Sequence, residues 1–176
     1  RLGILTATTP KPLLPVAGRP FLEHLIQEVS RYGFDRVTLL AGRFGEQLHD
    51  RYHGRKLSGL AIDVLVEPSV MGTGGALAYA AAQGKLESQF LLMNGDSWID
   101  VDLGKVVRHW QTAKEQDDGL RAQLVLQSVS DAARYGTVTF AGGKVTAFRE
   151  KTPNSASRPG LINAGVYVLD RRSLVS

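Results

Sequence analysis

A chain of 176 residues, 43% hydrophobic and 22% charged, can bury a core of its own and has the make-up of one globular domain. Its net charge of +4 favours anionic ligands, yet the Lys and Arg residues are scattered and form no patch for nucleic acid. The absence of cysteine excludes a disulfide framework and a thiolate metal site and permits the cytoplasm, and no signal peptide or apolar run of membrane-spanning length is visible.

The first stretch of note is Pro10-Lys11-Pro12-Leu13-Leu14-Pro15-Val16-Ala17-Gly18-Arg19-Pro20. Its prolines fix φ and remove backbone donors, which predicts a stiff, extended loop and no helix. Phe21 to Tyr32 follows as a helix with Leu22, Leu25, Ile26 and Val29 on one face and Gly33 as its stop. Arg36 to Ala41 reads as a strand, Phe44 to Tyr52 as a helix, Leu60 to Val66 as a strand, and Thr73 to Ala82 as an alanine-rich helix. Phe90-Leu91-Leu92-Met93 reads as a fully buried strand. The alternation predicts a Rossmann-like α/β sandwich of three layers with a mostly parallel central sheet.

Asp102 is placed to cap a helix that carries Leu103, Val106, Val107 and Trp110 on one side. Beyond it the pattern turns β-rich: Ala122 to Gln127, Gly136 to Phe140, Lys144 to Arg149 and Val166 to Leu169, with Gly142-Gly143 as a hairpin turn. Thr152 to Gly160, rich in Ser, Pro and Asn, reads as a loop, and another helix is expected to start near Ser176.

Three stretches could carry chemistry. Lys11, between two prolines, and Arg1 upstream are cations on backbone leading into a helix, a setting that suits a phosphate; a stiffened surface connection explains them equally well. Glu67-Pro68-Ser69-Val70-Met71-Gly72-Thr73-Gly74-Gly75-Ala76 lies between a strand and a helix, where glycines let a ligand approach the backbone or simply satisfy a turn. Asn94-Gly95-Asp96 follows the apolar run, and ligands of open parallel sheets bind beyond the carboxyl ends of strands; the alternative is an Asx turn. The four histidines show no metal spacing with one another or with carboxylates, and no serine sits in a Gly-x-Ser-x-Gly elbow.

Taken together, Arg1-Leu2 followed by Pro-Lys-Pro-Leu-Leu-Pro-Val-Ala-Gly-Arg-Pro-Phe resembles the signature of the sugar-1-phosphate nucleotidyltransferases. The glycine-rich loop and the strand ahead of it that complete this signature are not in the sequence, so the chain is expected to be one domain, residues 1–176, truncated at both ends. The resemblance implies that Arg1 and Lys11 contact a nucleoside triphosphate. It extends to the Glu67–Ala76 segment, which is similar to the family's Glu-Pro-x-x-x-Gly-Thr-Gly-Gly-Ala pattern, with Gly72 and Thr73 at the base and Glu67 positioning the loop. Asn94-Gly95-Asp96-Ser97 resembles its metal motif, which makes Asp96 the ligand of Mg²⁺. Arg134-Tyr135-Gly136-Thr137-Val138, Glu150-Lys151 and Asn163-Ala164-Gly165-Val166-Tyr167 resemble its sugar-binding segments and imply sugar contacts at Tyr135, Gly136, Glu150, Lys151 and Asn163.

What the resemblance implies is transfer of a nucleoside monophosphate from a triphosphate to a sugar 1-phosphate, with loss of pyrophosphate. The glycine loop, the metal motif and the Asp100-Val101-Asp102-Leu103 that follows look most like the guanylyltransferases of heptose and mannose 1-phosphate. Thymidylyl- and uridylyltransferases are the runners-up, and a silent nucleotide-sugar-binding subunit is the alternative from another class. The expected partners are the two substrates, with neither nucleic acid nor membrane; an assembly of identical chains stays open. A Rossmann dehydrogenase is disfavoured, because no Gly-x-Gly-x-x-Gly joins a strand to a helix here.

Overall fold

The computed structural model describes residues 3–133, 135–150 and 157–174. The proline-rich stretch departs from a plain extended loop. Lys11–Leu13 makes a single 3-10 turn with Pro12 in its first positions, where a missing N–H costs nothing. Strands β1, Pro15–Val16, and β2, Arg19–Pro20, then pair antiparallel around Ala17-Gly18. Ala17 and Gly18 both have positive φ, 48° and 83°, the geometry of a tight hairpin turn.

Helix α1, Phe21–Val29, buries Leu22, Leu25 and Ile26, and a further 3-10 turn ends at Gly33, whose φ of 78° is left-handed. Strand β3, Arg36–Ala41, helix α2, Gly45–Tyr52, a short β4, Lys56–Leu57, and β5, Leu60–Val66, follow. β3 and β5 pair in parallel, from Arg36 beside Ala61 to Ala41 beside Val66. Their apolar residues form one core with α1 and α2, built on Leu22, Ile26, Ala41, Leu48, Tyr52, Leu60, Ile62 and Val64. Helix α3, Gly72–Ala82, leads to β6, Gln89–Met93.

Here the expected sheet is not the one formed. The β3–β5 pair is the parallel one among the described residues, whereas β6 pairs antiparallel with β10, Gly160–Asp170. β10 is the longest strand and also takes β7, Ala122–Val129, antiparallel along its length and β8, Thr137–Ala141, at Ile162. β9, Lys144–Arg149, pairs with β8 through the turn at Gly142-Gly143. The result is a small three-stranded sheet, parallel between β3 and β5 and antiparallel where β4 joins β5, beside an antiparallel five-stranded one. Helix α4, Leu103–Gln116, covers the second sheet by packing Val106 and Trp110 on Val168. Asp102 caps that helix, its Oδ1 accepting from the Lys105 N–H at 3.0 Å.

β6 also corrects an expectation of burial: Phe90 to Met93 are half-buried. The cause is a cleft of about 530 Å³ lined on one side by β3 and on the other by β6, with residues of α1 and α3 along its walls. Both strands begin at the same end, where Arg36 and Glu87 form an ion pair at 3.4 Å. At the other end stand Pro12, Glu67, Gly72, Thr73, Asn94 and Gly95.

Candidate active site

The cleft mouth gathers pieces of three motifs that lie far apart in sequence, each brought there by the end of a secondary-structure element. Lys11 belongs to the 3-10 turn that precedes β1. Its ammonium donates to Asp96 Oδ2 at 3.5 Å, and both side chains are about half exposed, at 56% and 44%. The Ser97 hydroxyl donates to the other carboxylate oxygen at 3.3 Å. Pro12 backs the loop, since a side chain at Gly95 would meet its Cγ at 3.8 Å.

On the second flank, Glu67 follows β5 and hangs from β3, its N–H donating to the Ala41 carbonyl at 2.9 Å. Its carboxylate lies over Gly42, whose missing Cβ would stand 3.5 Å away, and accepts from the Met71 N–H at 3.1 Å. That bond spans the exposed segment 68–71 and fixes where α3 starts. The first turn of α3, Gly72-Thr73-Gly74, is exposed and has no side-chain cap. Gly72 holds φ +67° with nothing within 4 Å of where a Cβ would be. The first N–H groups of a helix have no intrahelical acceptor and can bond a ligand.

The third group sits at the end of the antiparallel sheet. A Cβ on Gly136 would approach the Arg149 carbonyl at 3.3 Å, so the Tyr135-Gly136 and Arg149-Glu150 backbones lie against each other. Ile162 pairs with Thr137, which puts Asn163 one residue from the same junction. Tyr135 and Glu150 are exposed. Asn163 is tied locally: its Nδ2 donates to the Tyr167 hydroxyl at 2.6 Å and its Oδ1 accepts from the Gly165 N–H at 2.9 Å. Two expected residues, Arg1 and Lys151, lie outside the described residues, as does the greater part of the loop expected from Thr152 to Gly160.

Asp96 fits a magnesium ligand by its chemistry. Mg²⁺ is held by one or two carboxylates together with substrate phosphates and water, and Asp96 is an exposed carboxylate whose oxygens each retain a lone pair beyond the bonds to Lys11 and Ser97. Another acidic group escaped the sequence reading. Glu46, His49 and Asp50 bring ligand atoms within 4.8 Å of one another on one turn of α2; helical spacing of a histidine with its acidic neighbours would have found it. His49 there stacks on His53 with ring centroids 4.4 Å apart, as on an ordinary solvated helix face. The sequence reading quoted Gly165 within a motif but gave it no role; its carbonyl accepts from the Asn94 N–H at 2.9 Å.

The family model described as nucleotidyl transferase matches residues 1–176. The chain is 31% identical over 171 residues to D-glycero-alpha-D-manno-heptose 1-phosphate guanylyltransferase of Aneurinibacillus thermoaerophilus, covering 97% of this chain and 70% of that protein. It is 34% identical over 175 residues to mannose-1-phosphate guanylyltransferase of Mycobacterium tuberculosis, covering 97% of this chain and 46% of the relative. Among solved structures it resembles HddC from Yersinia pseudotuberculosis complexed with GMP-PN, with a TM-score of 0.79 and 26% identity over 99% of this chain and 73% of that one. The chain belongs to the nucleotidyl transferase family of enzymes.

Proposed function

We propose that this protein transfers a nucleoside monophosphate, GMP from GTP, to heptose or mannose 1-phosphate, giving a nucleotide sugar and pyrophosphate. The observation that carries this reading is the Lys11–Asp96 pair at 3.5 Å, set beside Gly72, Thr73 and Asn94 at the mouth of one cleft. The guanylyltransferase names of its relatives at about 30% identity support the choice of base and sugar. The attacking group is a phosphate oxygen of the sugar phosphate, ionised at neutral pH, so no general base is required. It bonds to the α-phosphorus as the bond to the bridging oxygen of the leaving pyrophosphate breaks.

The protein's part is then positioning and charge neutralisation. Arg1 and Lys11 offset charge on the triphosphate and on the departing pyrophosphate. Glu67 holds the loop from which Gly72 and Thr73 meet the base, and Tyr135, Gly136, Glu150, Lys151 and Asn163 take the sugar. Asp96 holds Mg²⁺, which when bound supplies further neutralisation of the reacting phosphates. The setting is nucleotide-sugar synthesis for cell-surface polysaccharide in the cytoplasm.

The test is pyrophosphate release with Mg²⁺, using GTP, dTTP, UTP, CTP and ATP against hexose and heptose 1-phosphates. Release that needs GTP with a heptose or mannose phosphate is expected. Release with dTTP or UTP and a glucose or amino-sugar phosphate selects the thymidylyl- or uridylyltransferase instead. Nucleotide binding without release for any pair replaces the transferase with a silent binding subunit.

A further inference from the structure

Asp96 owes its place to a strand that is remote from it in sequence. The β6–β10 ladder runs from Asp170 beside Gln89 to Val166 beside Met93. One more bond, Asn94 N–H to the Gly165 carbonyl at 2.9 Å, closes it. Beyond that bond β6 ends, and Asp96 follows two residues later. At the same point β10 is irregular: it advances from Asn163 to Tyr167 while β7 advances only from Leu126 to Leu124. Bulges of this kind concentrate beside active sites, where they re-aim a side chain.

Gly165 is the residue on which this bulge turns. Its φ is +76°, and a Cβ there would stand 2.6 Å from Asn94 Nδ2 and 2.9 Å from its Cγ. The Asn94 side chain therefore occupies the space that any other residue at 165 would claim. Asn163 secures the arrangement by accepting the Gly165 N–H and by donating to Tyr167. Asn94 is seated on Gly165 by its backbone and its side chain together, and Pro12 bounds the next residue, Gly95. The Asn94–Asp96 loop is thus fixed at its start and along one flank.

We propose that Gly165, held left-handed by Asn163, is the positioning residue that sets where the Asp96 carboxylate stands. This rests on the reading of Asp96 as the metal carboxylate. A side chain at 165 is strained at that φ and pushes Asn94 off its seat. A shift of about 1 Å in a catalytic group costs on the order of 100-fold in rate.

The experiment pairs amide exchange, read by NMR without substrate or metal, with the kinetics of Gly165→Ala. In G165A the Asn94 amide exchanges at least about tenfold faster, whereas Phe90, deeper in the same ladder and with its amide on the same edge, keeps its protection. kcat per folded molecule falls about 100-fold, half-saturating Mg²⁺ rises, and KM for the triphosphate moves less than about threefold. Adding Asn94→Gly, which empties the contested space, restores part of kcat. If G165A does not fold, Asn163→Ala gives the same exchange test at Asn94 and Phe90. Unchanged Asn94 exchange, or equal loss of protection at Asn94 and Phe90, overturns the proposal. Faster Asn94 exchange in a protein whose wild type releases no pyrophosphate leaves the seating of the loop standing and removes the transferase reading instead.

Discussion

The ammonium of Lys11 lies 3.5 Å from a carboxylate oxygen of Asp96, across 85 residues of sequence. Both groups are about half exposed, and an ion pair in such a setting is worth roughly 0–1 kcal/mol of stability. Folding gains little from the pair, so its use is as a charged site. Asp96→Ala is therefore expected to fold with stability within about 1 kcal/mol of the parent and to abolish pyrophosphate release. Lys11→Ala should lose about 100- to 1000-fold in kcat, the usual effect of removing one group that neutralises transition-state charge. Thermal melts with the release assay decide this, and activity retained by D96A in Mg²⁺ buffer would rule out the metal role.

Glu67 touches no cation among the described contacts; its work is to accept the Met71 N–H at 3.1 Å. Removing the acceptor frees segment 68–71 and the start of α3, but leaves the Lys11–Asp96 pair alone. Glu67→Ala should raise KM for the triphosphate about tenfold with kcat within about threefold, the pattern of lost ground-state binding. Glu67→Gln keeps an acceptor oxygen and should stay near the parent. A collapse of kcat in E67A at unchanged KM would mean that Glu67 acts in the chemical step.

The strands β3 and β5 were legible to the residue, at Arg36–Ala41 and Leu60–Val66, because β-branched and apolar runs bounded by turn residues are local signals. So were the cap at Asp102 and the turn at Gly142-Gly143. The partner of β6 was not. Nothing in Gln89–Met93 names Gly160–Asp170 as its neighbour, and strand-helix alternation suggested a parallel one. The candidate site divides in the same way. Resemblance picked out Lys11, Glu67, Gly72 and Asp96, which the fold brings to one cleft mouth or its edge. Gly165 was quoted within a motif without a task, since its contact with Asn94 depends on a pairing that sequence spacing cannot display.

The cleft between β3 and β6 predicts a pattern of backbone protection. Each strand is paired along one edge, β3 with β5 and β6 with β10, and successive amides in a strand point to alternate edges. Within residues 1–176, amides on the paired edges should exchange at least about 100-fold more slowly than those facing the cleft. Exchange measured by NMR across Val37 to Leu40 and Phe90 to Met93 should alternate accordingly. Uniform slow exchange along both strands would show that the cleft closes in solution.

Asp170, at the end of β10, gives the chain an acid-labile point. It is 3% exposed and bonds Arg172 through both carboxylate oxygens, at 3.0 and 2.6 Å, with Lys114 3.2 Å away. The Arg172 hydrogen bonds, aided by Lys114 and opposed by burial, hold its carboxyl well below the usual carboxylate range. A group that binds its proton less readily when folded stabilises the fold fully above the unfolded value, about 3.9 for Asp, and less as pH falls through the folded one. Stability should therefore decline as the solution is acidified below about pH 4. Asp170→Asn leaves the Lys114 side chain, only 10% exposed, without its buried counter-charge and should cost about 3 kcal/mol at neutral pH, while making that acid decline shallower. Urea unfolding of both proteins from neutral pH down into this range measures the two effects together. Equal slopes against pH in parent and variant would mean that Asp170 titrates alike in the folded and unfolded chain, and that the Arg172 bonds do not hold in solution.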